Sequence, residues 1–247
     1  SKVLFVASPE LPMFDLRITF AAGSSHDDKQ LGVAMLTNAM LNEGIAGKDV
    51  TQIAEGFENL GAEFGNGAYR DMAVASLRSL SAPEQRIPAL ELFAEVIGRP
   101  TFPADSLARI KNQMLAGFEQ QKQNPGKLAT LALFEQLYGS HPYGAETTAE
   151  TLARITVADM AAFHARHVVA CRARVSLVGA LNRPQAEPLV TALLSRLPAA
   201  APAASVFDLL VIDRFAASAR HMTAVDQRQP HRPVLRHADQ SFVDRAV

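Results

Sequence analysis

Apolar positions along the chain fall into strand-like and helix-like periods. Val3 to Val6 is a short apolar strand, broken by the proline-bearing stretch Ser8 to Pro12. From Phe14 to Ala22 the alternation predicts a half-buried strand: Leu16, Ile18 and Phe20 point one way, Arg17 and Thr19 the other. Gly23-Ser24-Ser25 ends it, and Asp27 and Asp28 follow where an N-cap and first helical turn favour negative charge. Lys29 to Asn42 predicts a helix closed by Gly44, so poor in charge that most of its sides must be covered. Val50 to Leu60 is a second helix, stopped by Gly61. Two strands are predicted near Ala62 to Asn66 and Met72 to Leu80, joined through Gly67 to Asp71.

Helices dominate the next stretch. Pro83 to Ile97 ends at Arg99-Pro100, and a long amphipathic helix runs from Pro103 to Gln123, stopping before Pro125. Lys127 to Tyr138 is another, followed by a loop over Gly139 to Gly144 and a helix over Val157 to Arg166. Ala173 to Val178 is a strand ending in Gly179, and Pro184 to Leu197 is the last clear helix. Adjacent strands with short links imply antiparallel pairing. The order predicts an α+β sandwich, a mainly antiparallel sheet with helices packed on one face, rather than a doubly wound parallel sheet.

The pattern predicts one domain over residues 1–198. Residues 199–205 are rich in Ala and Pro and predict a linker. In the tail, 206–247, Val206 to Phe215 fits one more strand or helix. From Arg220 onward Arg, His, Gln and Asp dominate with little periodicity, which predicts a loose or disordered segment.

Composition narrows the function classes. The chain has 247 residues, 48% hydrophobic and 20% charged, with a formal net charge of -1. No basic excess points to nucleic acid, and an aromatic content of 6% without Trp argues against a base-stacking surface. No apolar run reaches the length of a membrane span. A single cysteine, Cys171, excludes an internal disulfide. No signal peptide is visible, yet the chain begins at Ser1, so the compartment, bacterial periplasm or cytoplasm, stays open.

Four local features recur together. A strand leads into Gly23-Ser24-Ser25-His26-Asp27 and then Leu31-Gly32-Val33-Ala34. Leu60-Gly61-Ala62 is followed by Asn66. His141-Pro142-Tyr143-Gly144 is followed by Thr147-Thr148 and Ile155-Thr156. Val175 to Gly179 is the last. In this order and spacing, Ser1 to Leu197 resembles a peptidase-type domain of the M16 family of zinc peptidases (pitrilysin, insulinase, mitochondrial processing peptidase). The resemblance implies an M16/LuxS-like metallohydrolase sandwich. Active members carry H-x-x-E-H on the first helix, two zinc-binding histidines with a glutamate base between them, and a third ligand, a glutamate, on a later helix.

The corresponding stretch here is Met35-Leu36-Thr37-Asn38-Ala39. Met35 and Ala39 stand at the histidine positions, Asn38 at the base, and the third ligand falls near Ala116 or Gly117. Alanine offers no donor, a thioether binds Zn(II) poorly, and an amide accepts no proton at neutral pH. The resemblance therefore implies a chain without metal or cofactor of its own, acting as the non-catalytic mate of a zinc-bearing homologue in peptide or protein cleavage. A peptide substrate would dock as an added strand on an exposed sheet edge near Phe64, Gly65, Asn66 and Gly67. Two alternatives stay open: an active metallopeptidase with a relocated site, and a peptide- or protein-binding module with no protease role.

Other candidate residues carry milder readings. His164 and His167, three apart, suggest a metal pair, but no carboxylate or thiolate completes it, so surface or packing roles are expected. His141 fits a capping role, and His26 lies just ahead of the zinc-helix position. Glu43, beside Asn42, lacks two further ligands for a shifted site. Cys171 fits a small buried hydrophobe, and Gly44-Ile45-Ala46-Gly47 a helix stop and turn. His231, Arg232, Arg236 and His237 in the basic tail fit a solvated end.

Overall fold

The computed structural model describes residues 2–198 and the strand at 208–212. The elements run β1 (Lys2–Ala7), β2 (Met13–Phe20), α1 (Val33–Ala39), β3 (Gly44–Ile45), β4 (Lys48–Asp49), α2 (Val50–Glu58), β5 (Glu63–Ala68) and β6 (Ala73–Leu80). They continue with α3 (Pro83–Gly98), α4 (Ala104–Gln121), α5 (Pro125–Tyr138), α6 (Ala149–Arg154), α7 (Val157–His167), β7 (Arg174–Gly179), α8 (Arg183–Arg196) and β8 (Asp208–Ile212). The chain divides into a compact unit of residues 1–211 and a second of residues 212–247. The expected linker and most of the expected tail, with His231, Arg232, Arg236 and His237, lie outside the described residues.

One sheet organises the first unit, with strand order β5-β6-β2-β7-β1-β8. The alternation of β2 sets its two faces. Phe14, Leu16, Ile18 and Phe20 are buried, while Asp15 and Arg17 are exposed. The register extends the apolar row across the sheet: Leu16 lies opposite Leu77 on one side and Leu177 on the other. Burying each such side chain contributes about 1.5–3 kcal/mol, so this face is where the helices must lie. Helix α3 packs on β6, α1 packs beside β5, and α8 and α7 pack against α3 and α1 respectively. This is the expected α+β architecture, a mainly antiparallel sheet with helices on one face.

Several elements differ from the sequence pattern. Strand β1 pairs with β7 in parallel, joining residues about 170 positions apart, which no local signal announces. Helix α1 is shorter than Lys29 to Asn42, because Gly32 at its N-cap takes a left-handed φ of 99° that a continuing helix cannot contain. Gly44 to Asp49 forms a small antiparallel hairpin rather than only a helix stop. Helix α6 begins at a Thr148 capping box in a stretch that carried no predicted element.

Candidate functional site

The site is built around α1, a helix of seven residues that is too short to persist alone. Its own N-cap, Gly32, has no side chain to offer. Asp27 reaches over instead: Gly32 N–H donates to Oδ2 at 2.7 Å and Ala34 N–H donates to Oδ1 at 2.8 Å. Asp27 is 4% exposed, and that burial holds its carboxyl above the usual aspartate range despite the two backbone donors. A Cβ at Gly32 would meet Thr147 Cγ2 at 2.5 Å, so glycine there serves both the turn and the close approach of the segment before α6.

Neighbouring elements fix the rest of α1. Arg166 of α7 pairs with Asp28, and Gln30 Nε2 donates to Asp159 Oδ1 at 2.6 Å. Beyond the C-terminus of α1, buried Glu43 accepts from Arg109 of α4, tying the long helix to this end. Along its side, Asn66 Nδ2 of β5 donates to the Asn38 carbonyl at 2.7 Å. Glu43 is thus engaged by an arginine rather than poised for metal.

Met35 and Ala39 lie one turn apart on the half-buried side of α1, while the Asn38 side chain is buried. Gly117 sits on α4, which packs beside α1, and a Cβ added there meets nothing within 4 Å. Ala116, its neighbour, is exposed. None of these side chains supplies an imidazole, thiolate or carboxylate. Among the described residues no group of three or more His, Cys, Asp or Glu is placed to hold a metal ion. The donor set at these positions does not fit zinc.

A cleft of about 900 Å³ opens over Leu31 and Met35, walled by the β5–β6 connection and by α4, α5 and the Tyr143–Thr147 segment. Tyr143 Oη donates to the Asp71 carboxylate, and this hydrogen bond holds the phenol proton above the usual tyrosine range. Arg70 sits over the Phe134 ring with Cζ 3.9 Å from its centroid. His141 caps the turn below, accepting at Nδ1 from Tyr143 N–H at 3.2 Å, which is a structural role.

Strand β5 forms one edge of the sheet and pairs only with β6 among the described residues. Phe64 packs towards the helices against Phe57 and Phe93, and Asn66 faces α1. Gly65 and Gly67 alternate with them and carry no side chain on the opposite face, where the Tyr69 ring stands 3.5 Å from the Cβ position of Gly67. The edge near Phe64, Gly65, Asn66 and Gly67 therefore stands beside the helix that carries Met35, Asn38 and Ala39.

The remaining histidines are packing residues. His164 is buried and its Nε2 donates to the Ile97 carbonyl at 2.8 Å, while buried His167 has Nδ1 3.3 Å from the Ala21 carbonyl. Burial lowers the pKa of both. The His26 ring lies 5.2 Å from that of His167, in a separate hollow away from Met35. Cys171 lies in a 3-10 turn just ahead of β7 and is half-buried, less covered than the buried hydrophobe expected. The negative charge of Asp27 ahead of the helix was expected from the sequence pattern, whereas the roles of Arg109 beside Glu43 and of the Tyr143 hydroxyl beside Asp71 were not.

Comparison with known proteins adds a family and several relatives. The profile of the insulinase family (peptidase family M16) matches residues 2–151. A non-peptidase homolog, YmxG of Helicobacter pylori, is 28% identical over 161 residues, 64% of this chain and 37% of the relative. The crystal structure of a peptidase M16 inactive domain from Pseudomonas fluorescens is 61% identical, superposes with a TM-score of 0.78, and is matched over 83% of this chain and 50% of that one. A Helicobacter pylori protease, 17% identical with a TM-score of 0.71, shares the fold over 81% of this chain and 50% of its own. The chain spans half the length, or less, of these relatives. No helix among the described residues is long and apolar enough to cross a membrane.

Proposed function

The chain belongs to the insulinase family of peptidases, family M16, and from that premise we propose that it is a non-catalytic domain that holds extended peptide for a zinc-bearing homologue. One observation carries the reading. The free edge of β5 is hydrogen-bonded to α1 through Asn66 and the Asn38 carbonyl, yet the helix beside it presents Met35 and Ala39 where the family places its histidines. An edge open to an added strand beside a helix whose side chains offer zinc no donor supports this reading.

An added strand draws its affinity from backbone hydrogen bonds, which make little demand on sequence. Alternate side chains of the peptide then face two ways, towards the cleft over Met35 or onto the opposite face beside Gly65. The zinc and the base belong to the partner, and this domain supplies a wall and a strand-binding edge. The inactive M16 domain from Pseudomonas fluorescens, at 61% identity, supports the non-catalytic part.

The test pairs metal content with cleavage. Purified in added zinc, the chain is expected to hold no stoichiometric zinc and to cleave no peptide, and to raise the activity of a co-expressed zinc-bearing M16 homologue. Near one zinc per chain with cleavage would sink the non-catalytic reading. An unchanged rate for the homologue would remove the partnership.

A further inference from the structure

The sheet face turned away from the helices carries a charge imbalance. Register places Glu63, Arg78 and Asp15 in one row across β5, β6 and β2, and Arg78 pairs with Asp15 at 2.8 Å. Arg78 and Asp15 neutralise each other, and Glu63 leaves this row with one net negative charge at its β5 end, against the three cations of the next rows. One step along, Arg17 lies between Ser76 and Ser176, and one further step places Thr19, Arg174 and Lys2 side by side. Arg17, Arg174 and Lys2 are all exposed, and none has an acidic side chain within salt-bridge distance among the described residues. Arg174 and Lys2 stand directly opposite each other on paired strands, an arrangement of like charge that costs stability.

A trough leads from this patch to the free edge. It has a volume of about 420 Å³ and is lined by Arg17, Ser76, Gly65, Gly67 and Tyr69, and also by Asp15, whose carboxylate is taken up by Arg78. Gly65 removes the side chain that would otherwise separate the β5 edge from Arg17 and leaves Ser76 between them in that row, while the Tyr69 ring stands over Gly67. Two strand spacings, roughly 10 Å, separate β5 from β2. A strand added to β5 would turn every second side chain onto this face.

We propose that the open face selects acidic peptide: an extended segment docked on β5 places an Asp or Glu side chain beside Gly65, where Arg17 receives it across Ser76 and Arg174 adds to the field. This rests on strand docking at β5 and names the substrate class for it. The trough fits carboxylates on a flexible chain better than a rigid polyanion, because it is narrow, begins at a strand edge, and offers one guanidinium at its end rather than a basic stripe.

The experiment measures binding of fluorescein-labelled ten-residue peptides by anisotropy at about 0.05 M and 0.5 M salt. Three peptides share an alternating Thr/Val frame, with Glu, Gln or Lys at every second position. The Glu peptide is expected to bind about three- to tenfold tighter than the Gln peptide at low salt, the range of one to two partly exposed ion pairs, and the preference is expected to shrink at high salt. Arg17→Glu should abolish the preference of the Glu peptide over the Gln peptide. Lys48→Glu, on the remote β4, makes the same change in net charge and should leave the preference intact. Circular dichroism checks that Arg17→Glu folds, as expected of an exposed side chain without partners.

Equal affinity for all three peptides, insensitive to Arg17→Glu, would overturn the charge selection and leave strand docking standing. Absence of binding by every peptide would overturn both. A preference lost equally in Lys48→Glu, or matched by an oligodeoxythymidine competitor, would mark a non-selective anion effect and overturn the proposal.

Discussion

Removing the Asp27 carboxylate gives the most direct check on how α1 is held. Alanine at this position deletes both acceptors and leaves the Gly32 and Ala34 N–H groups buried and unpaired. A hydrogen bond to a charged group contributes about 1.5–3 kcal/mol, and a lost helix N-cap costs about 0.5–2 kcal/mol. Desolvation offsets part of that gain, since burial already disfavours the ionised form of Asp27. The net loss expected for Asp27→Ala is about 2–3 kcal/mol, or a Tm lowered by roughly 5–10 °C for a domain of this size. Asp27→Asn keeps one acceptor and should lose about half as much. Urea unfolding of the three proteins measures the differences. Hydrogen exchange adds a local readout: because Asn66 is anchored on the Asn38 carbonyl, amides of β5 should lose protection along with those of α1. A loss below about 1 kcal/mol, with β5 protection unchanged, would refute the claim that Asp27 organises this helix.

Three further outcomes are expected. His164 and His167 have pKa values lowered by burial, so the folded state binds fewer protons than the unfolded chain below about pH 6.5. Their contribution is whole above that pH and declines as pH falls towards the lowered values; urea unfolding should show a loss from pH 7 to pH 5 that is smaller in His164→Gln. The combined change Met35→His, Asn38→Glu, Ala39→His and Gly117→Glu should bring zinc stoichiometry from none to about one per chain by metal analysis; no uptake by a folded variant would disprove the assignment of these positions. Gly179 has φ of 150°, and a Cβ there would meet the Met13 carbonyl oxygen at 2.4 Å; Gly179→Ala should lower stability by more than about 2 kcal/mol in thermal unfolding, since backbone must move at the β2–β7 pairing.

What the sequence disclosed was the local part of this structure. The alternation of Leu16, Ile18 and Phe20 is a period-two signal that survives because only one face of β2 is covered. The long helices declared themselves through their breakers: α3 ends at Gly98 just before Pro100, and α5 starts at Pro125. Long-range pairings gave no such signal. The parallel match of β1 with β7 depends on residues that are distant in sequence. The capping charge of Asp27 was legible, but not the left-handed turn at Gly32 across which it reaches. At the site, residue identity was legible and placement was not. Met35 and Ala39 were placed by the resemblance to the M16 zinc motif, but the ties of Glu43 to Arg109 and Asn66 to Asn38 arise from packing of residues 66 and 28 positions apart. The charge imbalance on the open face likewise needed the register, since Arg17, Arg174 and Lys2 are scattered along the chain.

The parallel pairing of β1 with β7 also governs the order in which the domain can assemble. Strand β7 lies between β2 and β1, so among the described residues β1 has no partner in the main sheet until residues 174–179 have been made. The hairpin of β5 with β6, and β6 with β2, can form early from nearby segments. A growing chain of intermediate length therefore exposes the edge of β2 together with an idle apolar strand, an aggregation-prone combination. Closing the sheet is a single late event of high contact order, and it makes the rate of folding, more than the final stability, the vulnerable quantity for this protein.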